Sequence, residues 1–174
     1  RIESRRGKDF TIEPLSLQPL IDEVLLAIQI DSARWPLSVT TVPDLPLVRA
    51  DAAKLRQALT NVLGNAVKYS PKGGAIEIHY AMREAGGKSL VGVSVTDHGI
   101  GMRQDQVAKV CDRFYRADTS GKIPGSGLGM SIVREIVELL GGQVEIVSAP
   151  GIGTSVTLWL PQGAAAGPSR GGTQ

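Results

Sequence analysis

The sequence predicts a two-layer α/β sandwich (α+β in class), with an antiparallel-leaning sheet covered by helices on one face. Three stretches carry apolar residues at helical spacing, near residues 16–32, 51–70 and 128–140. Two pairs of short alternating segments, 75–82 with 90–97 and 143–148 with 154–160, are joined by glycine-bearing turns and read as hairpins. The resulting order is helix, strands, helix, hairpin, loop, helix, hairpin, with no internal repeat.

Arg1 to Pro14 is charged and patternless and reads as a linker. Ser16 is placed to cap a helix running to about Ser32, with Leu20, Val24 and Ile28 in its stripe; Pro19 falls in the first turn, where it is tolerated. Leu37–Val42 and Leu47–Ala50 read as short strands. Asp51 then caps a central helix to Ser70, ended by Pro71, Gly73 and Gly74. Ala75–Met82 and Leu90–Asp97 form the first hairpin around a Glu84–Ser89 loop containing Gly86-Gly87. Met102–Val110 reads as a short helix, and Arg116–Ser126 as a long mobile loop. Leu128–Leu140 is an amphipathic helix stopped by Gly141-Gly142. Gln143–Ser148 and Thr154–Leu160 form the second hairpin, and the low-complexity tail from Gln162 reads as disordered.

Composition narrows the function. The 174 residues are enough for one domain with a core, and 42% hydrophobic with 21% charged is ordinary for a globular chain. A formal charge of +2 argues against nucleic acid, and 4% aromatic content against base stacking on an aromatic platform. The single Cys111 forbids an internal disulfide and fits a reducing compartment. The sequence has no apolar run near eighteen residues.

The central helix breaks a local rule. Leu55, Leu59, Val62, Leu63, Ala66 and Val67 supply its buried stripe, yet Asn61 and Asn65 lie one turn apart in its interior, followed by Lys68 and Tyr69. Asparagine competes for backbone hydrogen bonds in a helix, so such a pair points to a site. Asn65 offers a neutral oxygen of the kind magnesium accepts alongside phosphates and water, and Lys68 a charge against phosphate. Downstream, Asp97-His98-Gly99-Ile100-Gly101 follows a strand; an ionised Asp there can accept from an exocyclic amine such as adenine's, and the glycines would admit a flat ligand against the backbone. Taken alone it more often describes a tight turn with a solvated Asp. Gly125-Ser126-Gly127-Leu128-Gly129 opens a helix, where free N–H groups and the dipole favour a polyphosphate; alone it equally describes a hinge. Neither cluster fits the Walker or GxGxxG pattern. Arg113 and Arg116 stand beside the mobile loop, where their planar forks would suit phosphate oxygens or simply be solvated.

Together these segments resemble the ATP-binding catalytic domain of bacterial sensor histidine kinases, in the superfamily that includes gyrase, the HSP90 chaperones and MutL. The resemblance covers Ile2 to Pro161: NVLGNAVKYS (61–70), DHGIGM (97–102), DRFYRAD (112–118), GSGLGMSIV (125–133) and GIGT (151–154), in the family's order. It implies a Bergerat-type fold, a mixed, mainly antiparallel sheet with three helices on one face, and ATP and Mg²⁺ as cofactors. It further implies that Asn65 ligates Mg²⁺ with Asn61 in support, and that Lys68 meets the phosphates. Tyr69 would lie against adenine, Asp97 bind its amino group, and Gly99, Ile100, Gly101 and Thr154 belong to the nucleotide pocket. Gly125, Gly127, Leu128 and Gly129 would cradle phosphate, Arg116 would reach the γ-phosphate, and Ala117–Pro124 would be the lid. Lys68, Arg116 and Asn61 would carry the transfer.

Two departures bear on lid docking: Cys111 stands where the family has Phe, and Asp112 where Glu is commoner. The only histidines, His79 and His98, sit in a strand pattern and a glycine cluster and do not read as phosphoacceptors. The resemblance therefore implies a linker at 1–14 from a dimerisation and phosphoacceptor hairpin, a catalytic domain at 15–161 and a tail at 162–174. It implies a monomeric fragment of a homodimeric parent on the cytoplasmic side, whether or not that parent is anchored in the inner membrane. A response-regulator receiver domain would be its downstream partner. Alternatives are a hydrolysing ATPase of the superfamily, an anti-sigma serine kinase, or a nucleotide-binding module without catalysis; Asn61 stands where the hydrolysing relatives have Glu.

Overall fold

The computed structural model describes residues 9–116 and 129–163. Its main sheet has five strands: β2 (Leu37–Val39), β4 (Ile76–Ala85), β5 (Lys88–Asp97), β6 (Gln143–Ala149) and β7 (Gly153–Pro161), in the order β2-β4-β5-β7-β6. All neighbours are antiparallel except β2 with β4, so the sheet is mixed and mainly antiparallel as expected. A second sheet, not foreseen, pairs β1 (Glu13–Leu15) with β3 (Val48–Ala50). Helices α1 (Leu17–Ile28), α2 (Ala52–Lys68) and α4 (Gly129–Leu139) are accompanied by a single helical turn, α3 (Gln104–Val107).

Register explains the layering. Ile78, Val95, Val156 and Ile146 face one another across four strands, as do Val93, Leu158 and Val144. Because side chains alternate, this row defines one apolar face, and it packs on Leu17, Ile21 and Val24 of α1, Leu55, Leu59 and Leu63 of α2, and Val133 and Val137 of α4. The opposite face is polar and centred on Trp159, whose indole donates to Glu145 at 2.9 Å and lies 4.1 Å beneath the Arg83 guanidinium. The same alternation carries the inner row past the core to Asp97, Thr154 and Ser148 at one end of the sheet.

Several boundaries differ from the sequence reading. Helix α1 stops at Ile28, with Gln29 left-handed at φ 49°, because Asp31 starts a turn of its own: its carbonyl accepts Arg34 and Trp35 N–H and its carboxylate accepts Ala33 N–H. Ser16 holds the N-cap position without a side-chain cap bond. β2 ends at Val39 because Val42 is drawn away by Gln18, which bonds both its N–H and its carbonyl. The 76–97 hairpin is longer than expected, turning on Gly86 and Gly87 alone, both at positive φ as a two-residue turn requires. The helix expected over 102–110 is reduced to 104–107. At the termini, Glu13 and Pro14 lie in β1 and Thr11 N–H donates to Asp51, so folded contacts reach into the stretch read as linker. Gln162 and Gly163 likewise bond Ser89 and Leu47 rather than starting a disordered tail.

Asp51 caps α2 as expected, accepting Lys54 N–H at 2.9 Å, and its other oxygen accepts Thr11 N–H at 2.7 Å. Burial raises its pKa, but the bonds from Lys54, Thr11 and Ala53 outweigh that and leave it below the ordinary value. A depressed carboxylate contributes stability that is present above the ordinary aspartate range and lost as pH falls through the lower folded value. Asp51→Ala is therefore expected to cost about 1–3 kcal/mol near neutral pH in urea titrations, with the difference from the parent shrinking on acidification. A pH-independent difference would contradict the charge's part in it.

Candidate functional site

A cavity of about 410 Å³ opens where the polar end of the inner sheet face meets α2 and α4. Its floor is Val95, Ile146 and Val156, ending at Asp97 and Thr154. One wall is the edge of α2, with Asn61, Asn65, Lys68 and Tyr69; another is the start of α4, with Gly129, Met130 and Ile132. Ile100, Gly101, Met102, Val110 and Tyr115 close the third side.

The α2 wall follows from helical geometry. Leu55, Leu59 and Leu63 are fully buried, which fixes the helix's rotation and brings Asn61, Asn65 and Lys68 out along the margin of the buried stripe. A Cβ built on Gly129 would lie 3.6 Å from the Asn65 amide nitrogen, so α4 begins against that side chain. Lys68 is exposed at the end of α2, whereas Asn61 and Asn65 are half-buried. Among the described residues no three His, Cys, Asp or Glu side chains converge on a metal-sized site. The available donors are amide oxygens, a set that fits a hard cation whose remaining ligands are phosphates and water.

At the other end Asp97 is 7% exposed. Its Oδ1 accepts Gly99 N–H at 3.0 Å and Thr154 N–H at 3.2 Å, leaving Oδ2 outside both bonds. Burial pushes its pKa up, against the lowering effect of those two N–H groups and His98. Beside it, Ser148 accepts Met102 N–H at 2.9 Å, and its Oγ lies 2.9 Å from Gly153 O and 2.7 Å from Thr154 Oγ1.

Of the residues singled out from sequence, Asn61, Asn65, Lys68, Tyr69, Asp97, Ile100, Gly101, Gly129 and Thr154 line this one cavity. Gly125, Gly127 and Leu128, with the lid at 117–124, lie outside the described residues. Arg116 is half-buried next to the cavity residue Tyr115 but is not part of the lining. Gly99 does not line it either. Its glycine requirement, and that of Gly101, differ from the expected close approach of a ligand. A Cβ at Gly99 would overlap the Tyr69 carbonyl oxygen and one at Gly101 that of Ala149, so both glycines let the loop dock on the protein's own backbone. Ile100 N–H seals the first contact on Tyr69 O at 3.0 Å, and Gly151 N–H on Ile100 O the second, at 2.8 Å.

Sequence reasoning missed the apolar lining of Met102, Met130, Ile132 and Tyr115, and also Ser148. The alternation Val144, Ile146, Ser148, already visible in the strand, was the signal for the last. Arg113 is exposed, 5.4 Å over the Phe114 ring. Cys111 packs on the core's edge without lining this cavity, and burial raises its thiol pKa.

Residues 50–164 match the family described as histidine kinase-, DNA gyrase B-, and HSP90-like ATPase. The chain is 40% identical over 126 residues to the sensor histidine kinase WalK of Bacillus subtilis, covering 71% of this chain and 20% of that protein. It is 35% identical over 149 residues to the adaptive-response sensory kinase SasA of Thermosynechococcus vestitus, covering 84% of this chain and 38% of that one. Among solved structures it resembles the mycobacterial sensor histidine kinase MprB at a TM-score of 0.74 and 30% identity, over 87% of this chain and 98% of that one. It also resembles full-length ShkA in complex with AMPPNP at 0.73 and 26%, over 95% of this chain and 35% of that one. The chain thus spans only a minor part of WalK and SasA.

The loop-docking geometry is testable by two alanines. Gly99→Ala drives a Cβ into the Tyr69 carbonyl and is expected to destabilise by about 1–3 kcal/mol in urea titrations. Gly64→Ala on α2 meets nothing within 4 Å and is expected to be neutral or stabilising by up to about 1 kcal/mol. Equal effects at the two positions would contradict the backbone contact.

Proposed function

The chain belongs to the histidine kinase-, DNA gyrase B-, and HSP90-like ATPase family, and from that premise we propose that it is the ATP-binding catalytic domain of a two-component sensor histidine kinase. It holds Mg·ATP so that the γ-phosphoryl passes to a histidine on a separate domain. The observation that carries this reading is the polarity of one cavity: a buried carboxylate acceptor, Asp97, at the end of its floor, and amides with an exposed lysine, Asn61, Asn65 and Lys68, along its α2 wall. The adenine amine binds at Asp97 Oδ2, with Tyr69, Ile100, Gly101 and Thr154 around the base. The phosphates run toward Asn65, Lys68 and the start of α4 at Gly129, with Gly125, Gly127 and Leu128 completing their cradle. Arg116 reaches the γ-phosphate.

Transfer needs position and charge neutralisation more than covalent chemistry. Asn65, supported by Asn61, would hold Mg²⁺, which supplies charge neutralisation on the phosphate oxygens when bound. Asn61 cannot take a proton from water as a glutamate would, which favours transfer to a protein over hydrolysis. Neither histidine of the chain serves as acceptor: His79 lies on the outer sheet face, 3.1 Å from Thr40 Oγ1, and His98 is 3.7 Å from Glu77. The acceptor is on a dimerisation hairpin that precedes residues 1–14, and a receiver domain takes the phosphoryl onward. The domain acts on the cytoplasmic side; none of the helices described is long and apolar enough to cross a membrane.

Two measurements test this. With γ-labelled ATP, the chain mixed with a separately produced acceptor hairpin is expected to label the hairpin and not itself; label on His79 or His98 would overturn the assignment. The second uses adenosine, which has no phosphate to titrate. Asp97→Asn keeps an oxygen for Gly99 and Thr154 but turns an NH₂ toward the base, so calorimetry is expected to show about 10–100-fold weaker binding. Because the folded pKa is raised, the ionised acceptor is lost on acidification at a pH above the ordinary aspartate range, and adenosine affinity falls there in the parent only. The stability sign is opposite: the buried carboxylate costs stability at neutral pH and recovers it as it protonates, so the Asn variant should melt no lower.

A further inference from the structure

The protons around Ser148 can be counted. Ser148 Oγ has three neighbours: Met102 N–H at 2.9 Å, Gly153 O at 2.9 Å and Thr154 Oγ1 at 2.7 Å. The amide can only donate and the carbonyl can only accept, so both ends of that chain are fixed. The one arrangement that satisfies all three contacts has Ser148 accepting from Met102, donating its single proton to Gly153 O and accepting from the Thr154 hydroxyl. Reversing the last bond would set the Ser148 and Gly153 oxygens lone pair against lone pair in a buried site, since Ser148 is only 6% exposed.

Thr154 is thereby left with lone pairs and no proton to offer, and it lines the cavity next to Asp97. Its backbone N–H is also engaged, by Asp97 Oδ1. We propose that Ser148 is a specificity-determining positioning residue: by holding the Thr154 proton it makes the closed end of the cavity an all-acceptor surface, which selects a 6-amino purine over a 6-oxo purine. This rests on the proposed placement of the base at Asp97. With sugar and phosphates held as described, a 6-oxo group meets two acceptors and no hydroxyl donor, whereas an amine offers a hydrogen to each.

Ser148 also acts through its backbone, whose carbonyl accepts Gln104 Nε2 at 3.2 Å, so the strand end is bonded to the start of α3. A purely structural role would change stability and weaken all purines alike; the proton-holding role changes their ratio.

The test compares the diphosphates of adenosine, inosine and unsubstituted purine riboside by calorimetry, with melting curves for each variant. Ser148→Ala frees the Thr154 proton to donate to a 6-oxo group, and the adenosine-to-inosine affinity ratio is expected to fall about tenfold. Thr154→Val removes an acceptor, weakening the adenosine compound several-fold while leaving the purine riboside compound unchanged. A folded Ser148→Ala with the parent's ratio overturns the proposal. If that variant does not fold, Thr154→Val decides, and an unchanged adenosine affinity overturns it. Asp97→Asn separates the two levels: if it too leaves the adenosine diphosphate affinity unchanged, the base placement itself is wrong rather than the role of Ser148.

Discussion

The grip of two backbone N–H groups on Asp97 Oδ1 is the contact on which the closed end of the site depends. Gly99 and Thr154 come from different segments, a loop and a hairpin strand, and the carboxylate joins them, Thr154 lying 57 residues on from Asp97. Taking a carboxylate to 7% exposure is unfavourable, which is why its pKa rises in spite of the two bonds. The fold tolerates that cost because the loop is tied down elsewhere, at Tyr69 O, Ala149 and Ser148. The outcome is a preoriented acceptor: one oxygen is immobilised, so the other has a fixed direction before any ligand arrives.

Helix α2 does two jobs with one rotation. The burial of Leu55, Leu59 and Leu63 sets the angle at which Asn61, Asn65 and Lys68 meet the cavity, so core packing and ligand geometry cannot vary independently. Its N-terminus is held by Asp51, which also takes Thr11 N–H from the entering chain. Its C-terminus supplies the Tyr69 carbonyl on which the 97–101 loop docks. Trp35 fastens the next residue by donating to Ser70 O at 2.9 Å. The segment arriving from upstream is thus bonded to the same rigid element that carries the polar edge.

Elements with long, uninterrupted periodicity were legible in the sequence: α2, α4 and both hairpins appear where their patterns place them. The errors cluster where a side chain far away in sequence decides the backbone. Gln18 ends β2 early, and β1 exists only because β3 is there to pair with it; three residues including Pro14 carry no alternation to read. The glycines show a subtler limit. Sequence located Gly99 and Gly101 correctly as places of close approach, but what approaches is the Tyr69 and Ala149 backbone, a fact that requires knowing how the helix end and the second hairpin meet. The apolar cavity wall was invisible for a related reason: Met130 and Ile132 belong to an amphipathic helix whose pattern does not show that they pack with the core and also line a cavity shared with α2 and the sheet end.

The depth profile of the cavity bears on what such a site is for. Its charge-bearing acceptor is buried, its two amides are half-buried, and its cation, Lys68, is exposed at the helix end. On the proposed reading, the base is enclosed and the terminal phosphate lies at the open end, where a second domain can approach it. A hydrolase would need a base in the site to prepare water. Asn61 has a neutral amide, and it lies within the polar edge formed by Asn65 and Lys68. On that reading a neutral Asn61 and an exposed Lys68 have the same consequence, since a site that holds ATP intact and presents its end outward leaves the attacking group to come from elsewhere.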